Sequence, residues 1–122
     1  MRLRILVVED DMLISLVLQN IMEHAGHEII GTATDMAEAL RAAERATADV
    51  AIMDVDLARG SNGVETAKLL RERYGVPSLF VSASLSDEVR ARASPWNPVG
   101  FISKPFLDAE ILKALRDVCG TA

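Results

Sequence analysis

The chain has 122 residues, half of them hydrophobic, and a formal net charge of −5. This length suits one domain with a well-buried core and leaves no room for a second. The negative charge and the scattered basic residues disfavour direct binding to nucleic acid, which needs Lys and Arg clustered on one face. The lone cysteine, Cys119, excludes an internal disulfide framework, and no apolar stretch approaches the roughly 18 residues of a membrane span. We therefore expect a soluble cytoplasmic protein.

Apolar runs alternate with helical patterns along the chain, which predicts a doubly wound parallel sheet with helices on both faces. The predicted elements are strand 3–8, helix 12–24, strand 28–32, helix 36–46, strand 50–53, helix 64–74, strand 78–82, helix 86–93, strand 101–102 and helix 107–118. In the first helix, apolar residues at helical spacing mark the expected buried face: Leu13, Leu16, Val17 and Ile21. Asp35 is the expected N-cap of the second helix, and Gly75 the expected end of the third.

Four polar residues stand where apolar runs end: Asp10, Asp54, Ser82 and Lys104. The carboxyl ends of parallel strands share one edge of the sheet, where open α/β folds bind their ligands. Asp10 and Asp54, with Glu9 beside them, supply the oxygen ligands that Mg²⁺ prefers. Lys104 offers a positive charge to a phosphoryl group, Ser82 offers a hydroxyl, and the Asp54 carboxylate can attack phosphorus. The pattern predicts a magnesium and phosphoryl site.

Each of these residues also has an ordinary structural explanation. Asp10 or Asp11 could simply cap the first helix, a lysine before proline is usually solvated, and a lone serine such as Ser82 is commonly a turn residue. The placement of all four residues at successive strand ends favours the joint functional interpretation.

Four segments together resemble the receiver domain of two-component response regulators, of the single-domain type. They are Val7-Val8-Glu9-Asp10-Asp11, the strand-end Asp54, Val81-Ser82-Ala83 and Gly100-Phe101-Ile102-Ser103-Lys104-Pro105-Phe106. The resemblance covers essentially the whole chain. It implies a flavodoxin-like (βα)5 fold with strand order 2-1-3-4-5.

The resemblance also implies the roles of the acidic residues. Asp54 would be the phosphoacceptor, loaded by a histidine kinase or a phosphotransfer protein. Magnesium would be held by Asp10, Asp54 and the backbone carbonyl of Asp56, with Glu9 reaching the ion through water. Such a domain is a signalling module and not an enzyme, with at most slow self-dephosphorylation.

By the same resemblance, Ser82 and Phe101 are the switch residues, Lys104 is the family's lysine, and the Lys104-Pro105 bond is expected to be cis. The output face would comprise the fourth helix, the fifth strand and the fifth helix. It would bind an output protein or a second copy of the chain, since no effector domain is expected after Cys119. Neither a membrane nor nucleic acid is an expected direct partner.

The chain departs from the family pattern at several positions. Ala58 stands where many receivers carry proline, Gly63 comes one residue later than usual, and the switch aromatic is Phe101 where tyrosine is commoner. Trp96 lies among prolines after the fourth helix. A packed loop side chain is slightly favoured for it over a partner anchor.

Two other functions remain open at this point. Asp54-Val55-Asp56 matches the DxD motif of haloacid-dehalogenase-like phosphatases, although the rest of the chain resembles those enzymes poorly. A degenerate receiver that serves only as a docking surface is the other alternative. The intact acid pair, Asp54, Ser82 and Lys104 argue against it.

Overall fold

The computed structural model describes residues 2–119, in which five strands alternate with five helices; the side chain of Cys119 lies outside the described part. The strands are β1 (Arg4–Val8), β2 (Glu28–Ala33), β3 (Val50–Met53), β4 (Ser78–Ser82) and β5 (Gly100–Ser103). The helices are α1 (Met12–His24), α2 (Met36–Arg45), α3 (Gly63–Tyr74), α4 (Asp87–Ala93) and α5 (Asp108–Cys119). Every strand pair is parallel and the order is β2-β1-β3-β4-β5, so the predicted fold is confirmed.

The central strands are apolar along their length because helices cover both faces of the sheet. Side chains that alternate along these strands enter two separate core clusters. One cluster packs under α2, α3 and α4 and includes Leu6, Val8, Ala51, Met53 and Phe80. The other packs under α1 and α5 and includes Ile5, Val7, Ile52, Leu79 and Val81. The sheet is therefore packed on both faces up to the strand ends that carry the polar residues.

The structure shows which of Asp10 and Asp11 caps the first helix. Asp11 caps α1, because its Oδ1 accepts hydrogen bonds from the backbone N–H groups of Leu13 (3.0 Å) and Ile14 (3.1 Å). Asp10 is thus not the cap of this helix. Asp35 caps α2 and Gly75, with φ of 69°, ends α3, as predicted.

The prediction for the buried face of α1 was largely wrong. Leu13, Leu16 and Val17 are 72%, 51% and 41% exposed, and only Ile21 of the four predicted residues is buried. The buried residues of this helix are Ser15, Leu18, Ile21 and Met22. Apolar residues surround most of α1, so spacing alone fits more than one face, and packing against the sheet decides which face is buried.

The remaining differences are at element boundaries, where Ser86 is the N-cap of α4 and not its first residue. The Lys104-Pro105 peptide bond is cis, as the resemblance implied. Within residues 2–119, none of the helices has the length and apolarity needed to cross a membrane.

Candidate functional site

The ends of four strands bring the predicted polar residues to one edge of the sheet. Glu9 follows β1, Asp54 follows β3, Ser82 ends β4 and Lys104 follows β5. Sheet-like hydrogen bonds continue past the strands, because the Asp54 N–H donates to the Val8 carbonyl (3.0 Å) and the Lys104 N–H to the Ser82 carbonyl (3.1 Å). The backbone of the site is therefore fixed by the sheet itself.

Asp54 is 7% exposed, and each of its carboxylate oxygens has a side-chain partner. Oδ1 accepts a 2.6 Å hydrogen bond from the fully buried Ser82 hydroxyl. Oδ2 accepts a 3.0 Å hydrogen bond from the Lys104 ammonium, which also donates to Glu9 Oε1 at 2.6 Å. These bonds hold the carboxylate in one orientation at the mouth of the site.

Glu9 and Asp54 both accept hydrogen bonds from Lys104, but their pKa values are shifted in opposite directions. Burial raises the pKa of Glu9 from 4.5 to about 7, against the lowering effect of Lys104, and the neighbouring Asp54 charge raises it further. The pKa of Asp54 is lowered even though burial acts in the opposite direction, because hydrogen bonds from Ser82, Glu9 and Lys104 favour its carboxylate. Hydrogen bonds to both acids raise the pKa of Lys104 despite its burial. These opposite pKa shifts favour the ionised form of Asp54 over that of Glu9.

Three acids are close enough to hold one cation together. Ligand oxygens of Glu9, Asp10 and Asp54 all lie within 4.8 Å of one another, with Asp10 exposed and the other two buried. Their oxygens are hard donors, which suits Mg²⁺ or Ca²⁺ better than a soft transition metal. The residues present therefore fit a magnesium site.

The loop after β3 forms a narrow turn close to Asp54. Asp56 and Asn62 form an isolated antiparallel bridge, and the Leu57 N–H donates to the Ser61 carbonyl at 3.2 Å. We call this segment the 56–62 turn. The next residue, Gly63, approaches so closely that an added Cβ would lie 1.8 Å from the Asp54 carbonyl oxygen. Glycine is required there because any side chain would push the turn away from the acceptor strand.

The loop after β4 lies on the other side of Asp54. Its Ser84 hydroxyl donates to Asp56 Oδ2, and the Ser84 N–H donates to the Ser82 hydroxyl at 3.2 Å. A hydrogen bond therefore links this loop to the 56–62 turn across the mouth of the site.

Phe101 on β5 packs inward in this structure. Its ring stacks on Phe80 with centroids 5.5 Å apart and an angle of 16° between the planes. The Arg90 guanidinium of α4 lies 5.0 Å from the Phe101 centroid, and its Nε donates to the Leu85 carbonyl at 3.3 Å. Phe101 is thus in contact with α4 through Arg90, which also bonds to the loop that precedes this helix.

Trp96 is half-buried. The Lys68 ammonium of α3 lies 5.3 Å from the centroid of its indole ring, a cation–π geometry. The tryptophan is therefore partly packed against the body of the domain.

Two arginines near the site were missed by the reasoning from sequence. Arg59, at the tip of the 56–62 turn, forms an ion pair with Asp35, and Arg90 covers Phe101. Asp35 is 24 residues from Arg59 and Phe101 lies on a different element from Arg90, so no local sequence pattern could have predicted these contacts.

A family model for the response regulator receiver domain matches residues 5–116. The chain belongs to this family. Receiver domains are the phosphoacceptor modules of two-component signalling, so the predicted family and the role of a phosphoacceptor receiver are confirmed. The phosphatase and docking-only alternatives gain no support from these comparisons.

Curated relatives are longer than this chain. The transcriptional regulatory protein PdtaR of Mycobacterium tuberculosis is 30% identical over 113 residues, which cover 93% of this chain and 55% of the relative. The phyllosphere-induced regulator PhyR of Methylorubrum extorquens is 32% identical over 112 residues, which cover 91% and 41%. A protein-glutamate methylesterase of Pyrococcus horikoshii is 30% identical over 120 residues, but only 32% of its length is covered. The chain spans about half or less of the length of these relatives.

Solved receiver structures share the whole fold. The signal receiver domain of a modulated diguanylate cyclase from Desulfovibrio desulfuricans G20 is 28% identical with a TM-score of 0.91, over 99% of this chain and 96% of that one. The response regulator domain of Thermotoga maritima CheB is 26% identical with a TM-score of 0.90, over 98% of both chains.

Proposed function

We propose that Asp54 accepts a phosphoryl group from a histidine kinase or a phosphotransfer protein, with Mg²⁺ as the cofactor. The observation that carries this proposal is the environment of the Asp54 carboxylate. It is buried, its lowered pKa keeps it ionised, and it lies between the Ser82 hydroxyl and the Lys104 ammonium beside an acid cluster.

In the transfer step an Asp54 carboxylate oxygen attacks phosphorus, a new P–O bond forms, and the P–N bond of the phosphohistidine breaks. The released imidazole nitrogen keeps the electron pair and takes a proton from solvent. Asp10, Asp54 and the backbone carbonyl of Asp56 would hold the metal, with Glu9 behind an intervening water. Magnesium supplies charge neutralisation for the phosphoryl oxygens.

Lys104 and Ser82 stabilise the product. The Lys104 ammonium can turn from Asp54 Oδ2 to a phosphoryl oxygen, and the Ser82 hydroxyl can donate to another in place of Asp54 Oδ1. Because this exchange requires Ser82 to move, it would transmit the modification along β4 toward α4. The output surface we propose is the face of α4, β5 and α5, which would bind another protein or a second copy of this chain.

The test is incubation of the purified protein with acetyl phosphate and Mg²⁺, followed by intact mass spectrometry. We expect one phosphoryl group per chain, labile to base and to hydroxylamine as an acyl phosphate is, and no label on Asp54→Asn. Asp11→Asn is the matched control, since it removes one nearby carboxylate but keeps a good helix cap. Full labelling of Asp54→Asn would refute the assignment. Steady release of phosphate from phosphomonoesters would instead support a phosphatase.

A further inference from the structure

Arg59, at the tip of the 56–62 turn, has a backbone conformation that is unusual for its type. Its φ of 55° and ψ of 38° lie in the left-handed region, which costs an L-residue with a side chain roughly 1–2 kcal/mol. Such strained residues persist only where surrounding contacts hold them, and they cluster at functional sites. The contacts of the Arg59 side chain must therefore offset this cost.

Those contacts join the turn to the start of α2. Arg59 Nε lies 2.5 Å from Asp35 Oδ2, and Nη2 donates to the Thr34 hydroxyl at 3.1 Å and lies 3.7 Å from Glu38 Oε2. We call the contacts of Arg59 with Asp35 and Thr34 the Arg59 clasp. Two further bonds join the same segments, from the Ala58 N–H to the Thr34 carbonyl (2.9 Å) and from the Met36 N–H to the Ser61 hydroxyl (3.2 Å).

The Arg59 clasp differs from an ordinary surface ion pair because its acid is buried and already held in place. Asp35 is only 6% exposed and is held in place by its capping bond from the Glu38 N–H at 2.8 Å, although the Arg59 side chain is 63% exposed. A fixed carboxylate that meets a planar guanidinium loses little entropy on pairing. The pKa of Asp35 is lowered, first by the backbone hydrogen bond from Glu38 and then by Arg59.

The turn fixed by this clasp carries a proposed metal ligand. Asp56 lies two residues after Asp54, whose N–H is bonded to β1, and its bridge to Asn62 closes the turn. The sheet therefore holds the base of the turn, and the clasp holds its tip. The turn contains Gly60 and no proline, so its backbone is not stiff by itself and its shape depends on such outside contacts.

We infer that Arg59 is a positioning residue for the magnesium site, acting through the 56–62 turn to hold the Asp56 carbonyl in place. The inference rests on the proposed function. Residues that orient metal ligands without touching the metal typically change metal affinity 10- to 100-fold when they are mutated.

A purely electrostatic effect of Arg59 and Asp35 on Mg²⁺ affinity can be distinguished from positioning, because the two predict different changes in Kd. Loss of a positive charge near an acid cluster should tighten cation binding, and loss of a negative charge should weaken it. Positioning predicts that Arg59→Ala and Asp35→Asn both weaken binding, although they change the net charge in opposite directions. Asp35→Asn keeps the helix cap, since asparagine caps as well as aspartate.

The experiment is calorimetric titration of Mg²⁺ into the wild type, Arg59→Ala, Asp35→Asn and the double variant. Arg41→Ala is the control for loss of a positive charge on the exposed side of α2. We expect each single clasp variant to raise Kd about tenfold, the double variant to raise it no further, and Arg41→Ala to leave it unchanged or slightly lower. Arg59→Lys should fall between Arg59→Ala and the wild type.

Arg59→Gly separates metal positioning from stability. Glycine relieves the left-handed strain while removing the clasp, so the melting temperature without metal should stay near that of the wild type while Kd still rises. The role of Arg59 would be refuted if Arg59→Ala bound Mg²⁺ as tightly as the wild type or more tightly, or if the increases in Kd from the two single variants multiplied in the double variant. Either result would leave the proposed function untouched. Failure of the wild type to bind Mg²⁺ would overturn the proposed metal site along with the role of Arg59.

Discussion

The two loops beside Asp54 are held very differently. The loop after β3 is closed by the Asp56 bridge to Asn62 and tied to α2 by the Arg59 clasp. In the loop after β4, Ala83 and Ser86 are exposed and Ser84 and Leu85 are half-buried. Ser84 bonds to Asp56, the Leu85 side chain packs against the core, and the Leu85 carbonyl accepts from Arg90. One loop is anchored on both sides and the other is attached at a few points.

This difference matches what each loop would do. A metal ligand must keep its position, and the 56–62 turn carries the proposed ligand Asp56. A switch must have a second state of similar free energy, and weakly attached segments supply such states. We therefore expect phosphorylation to move the β4 side of Asp54 and leave the β3 side in place.

The largest effect is expected from Ser82→Ala. This change removes the hydroxyl that donates to Asp54 Oδ1. Phosphorylation of Asp54 can then no longer move the end of β4 through a hydrogen bond to this side chain. Beryllofluoride, a mimic of the aspartyl phosphate, should still bind, but its chemical-shift changes in α4 should vanish. Ser78→Ala at the opposite end of β4 is the matched control, since the Ser78 hydroxyl is buried without a hydrogen-bond partner. Persistent changes in α4 of Ser82→Ala would remove Ser82 from the switch.

Asp10→Asn tests the metal side of the comparison. Mg²⁺ at about 100 times its Kd should stabilise the wild type by about 2.7 kcal/mol, and a tenfold weaker site would reduce the gain to about 1.4 kcal/mol. Urea unfolding with and without Mg²⁺ measures this difference. Asp11→Asn, with the same loss of charge one residue away, should keep most of the gain. Equal losses in the two variants would indicate a diffuse charge effect without a defined site.

The raised pKa of Glu9 predicts how stability without metal depends on pH. The folded protein holds the Glu9 proton up to about pH 7, whereas the unfolded chain releases it near 4.5, so stability falls as pH rises between these values. The fall is at most about 3 kcal/mol, because each pKa unit corresponds to about 1.4 kcal/mol. Saturating Mg²⁺ should suppress it, and Glu9→Gln should flatten it. A metal-free stability that rises over this range would contradict the assignment.

Arg90→Ala should have the smallest effect of these variants. It changes the free energy of unfolding by removing the contact between α4 and Phe101, on the β4 side of Asp54. A cation–π contact at a partly exposed site contributes about 0.5–1 kcal/mol, so the free energy of unfolding should fall by that amount. Arg92→Ala, on the exposed part of the same helix, is the control and should change it less. If the two variants lose the same stability, the contact with Phe101 contributes nothing beyond helix charge.

The candidate site residues could be predicted from the sequence because each lies at the carboxyl end of a strand or within two residues of it, a local pattern that survives folding. Asp54 and Lys104 are examples, and their meeting follows from the parallel sheet alone. The Arg59 clasp could not be predicted, since it joins positions 24 residues apart and needs a left-handed residue that is not glycine. The exposed face of α1 was missed for another reason. Residues such as Leu16 fit an apolar stripe that the rest of the fold does not cover.

The amide NMR spectrum of the wild type with Mg²⁺, before and after addition of beryllofluoride, shows directly whether the phosphorylated state moves the β4 side of Asp54 and leaves the β3 side in place. We expect large changes at residues 82–93 and 100–103 and small ones at residues 57–61, once direct effects on Asp54 and its neighbours are set aside. Changes confined to the strand ends at residues 9–10 and 54–56, or changes in the 56–62 turn as large as those in α4, would contradict this expectation.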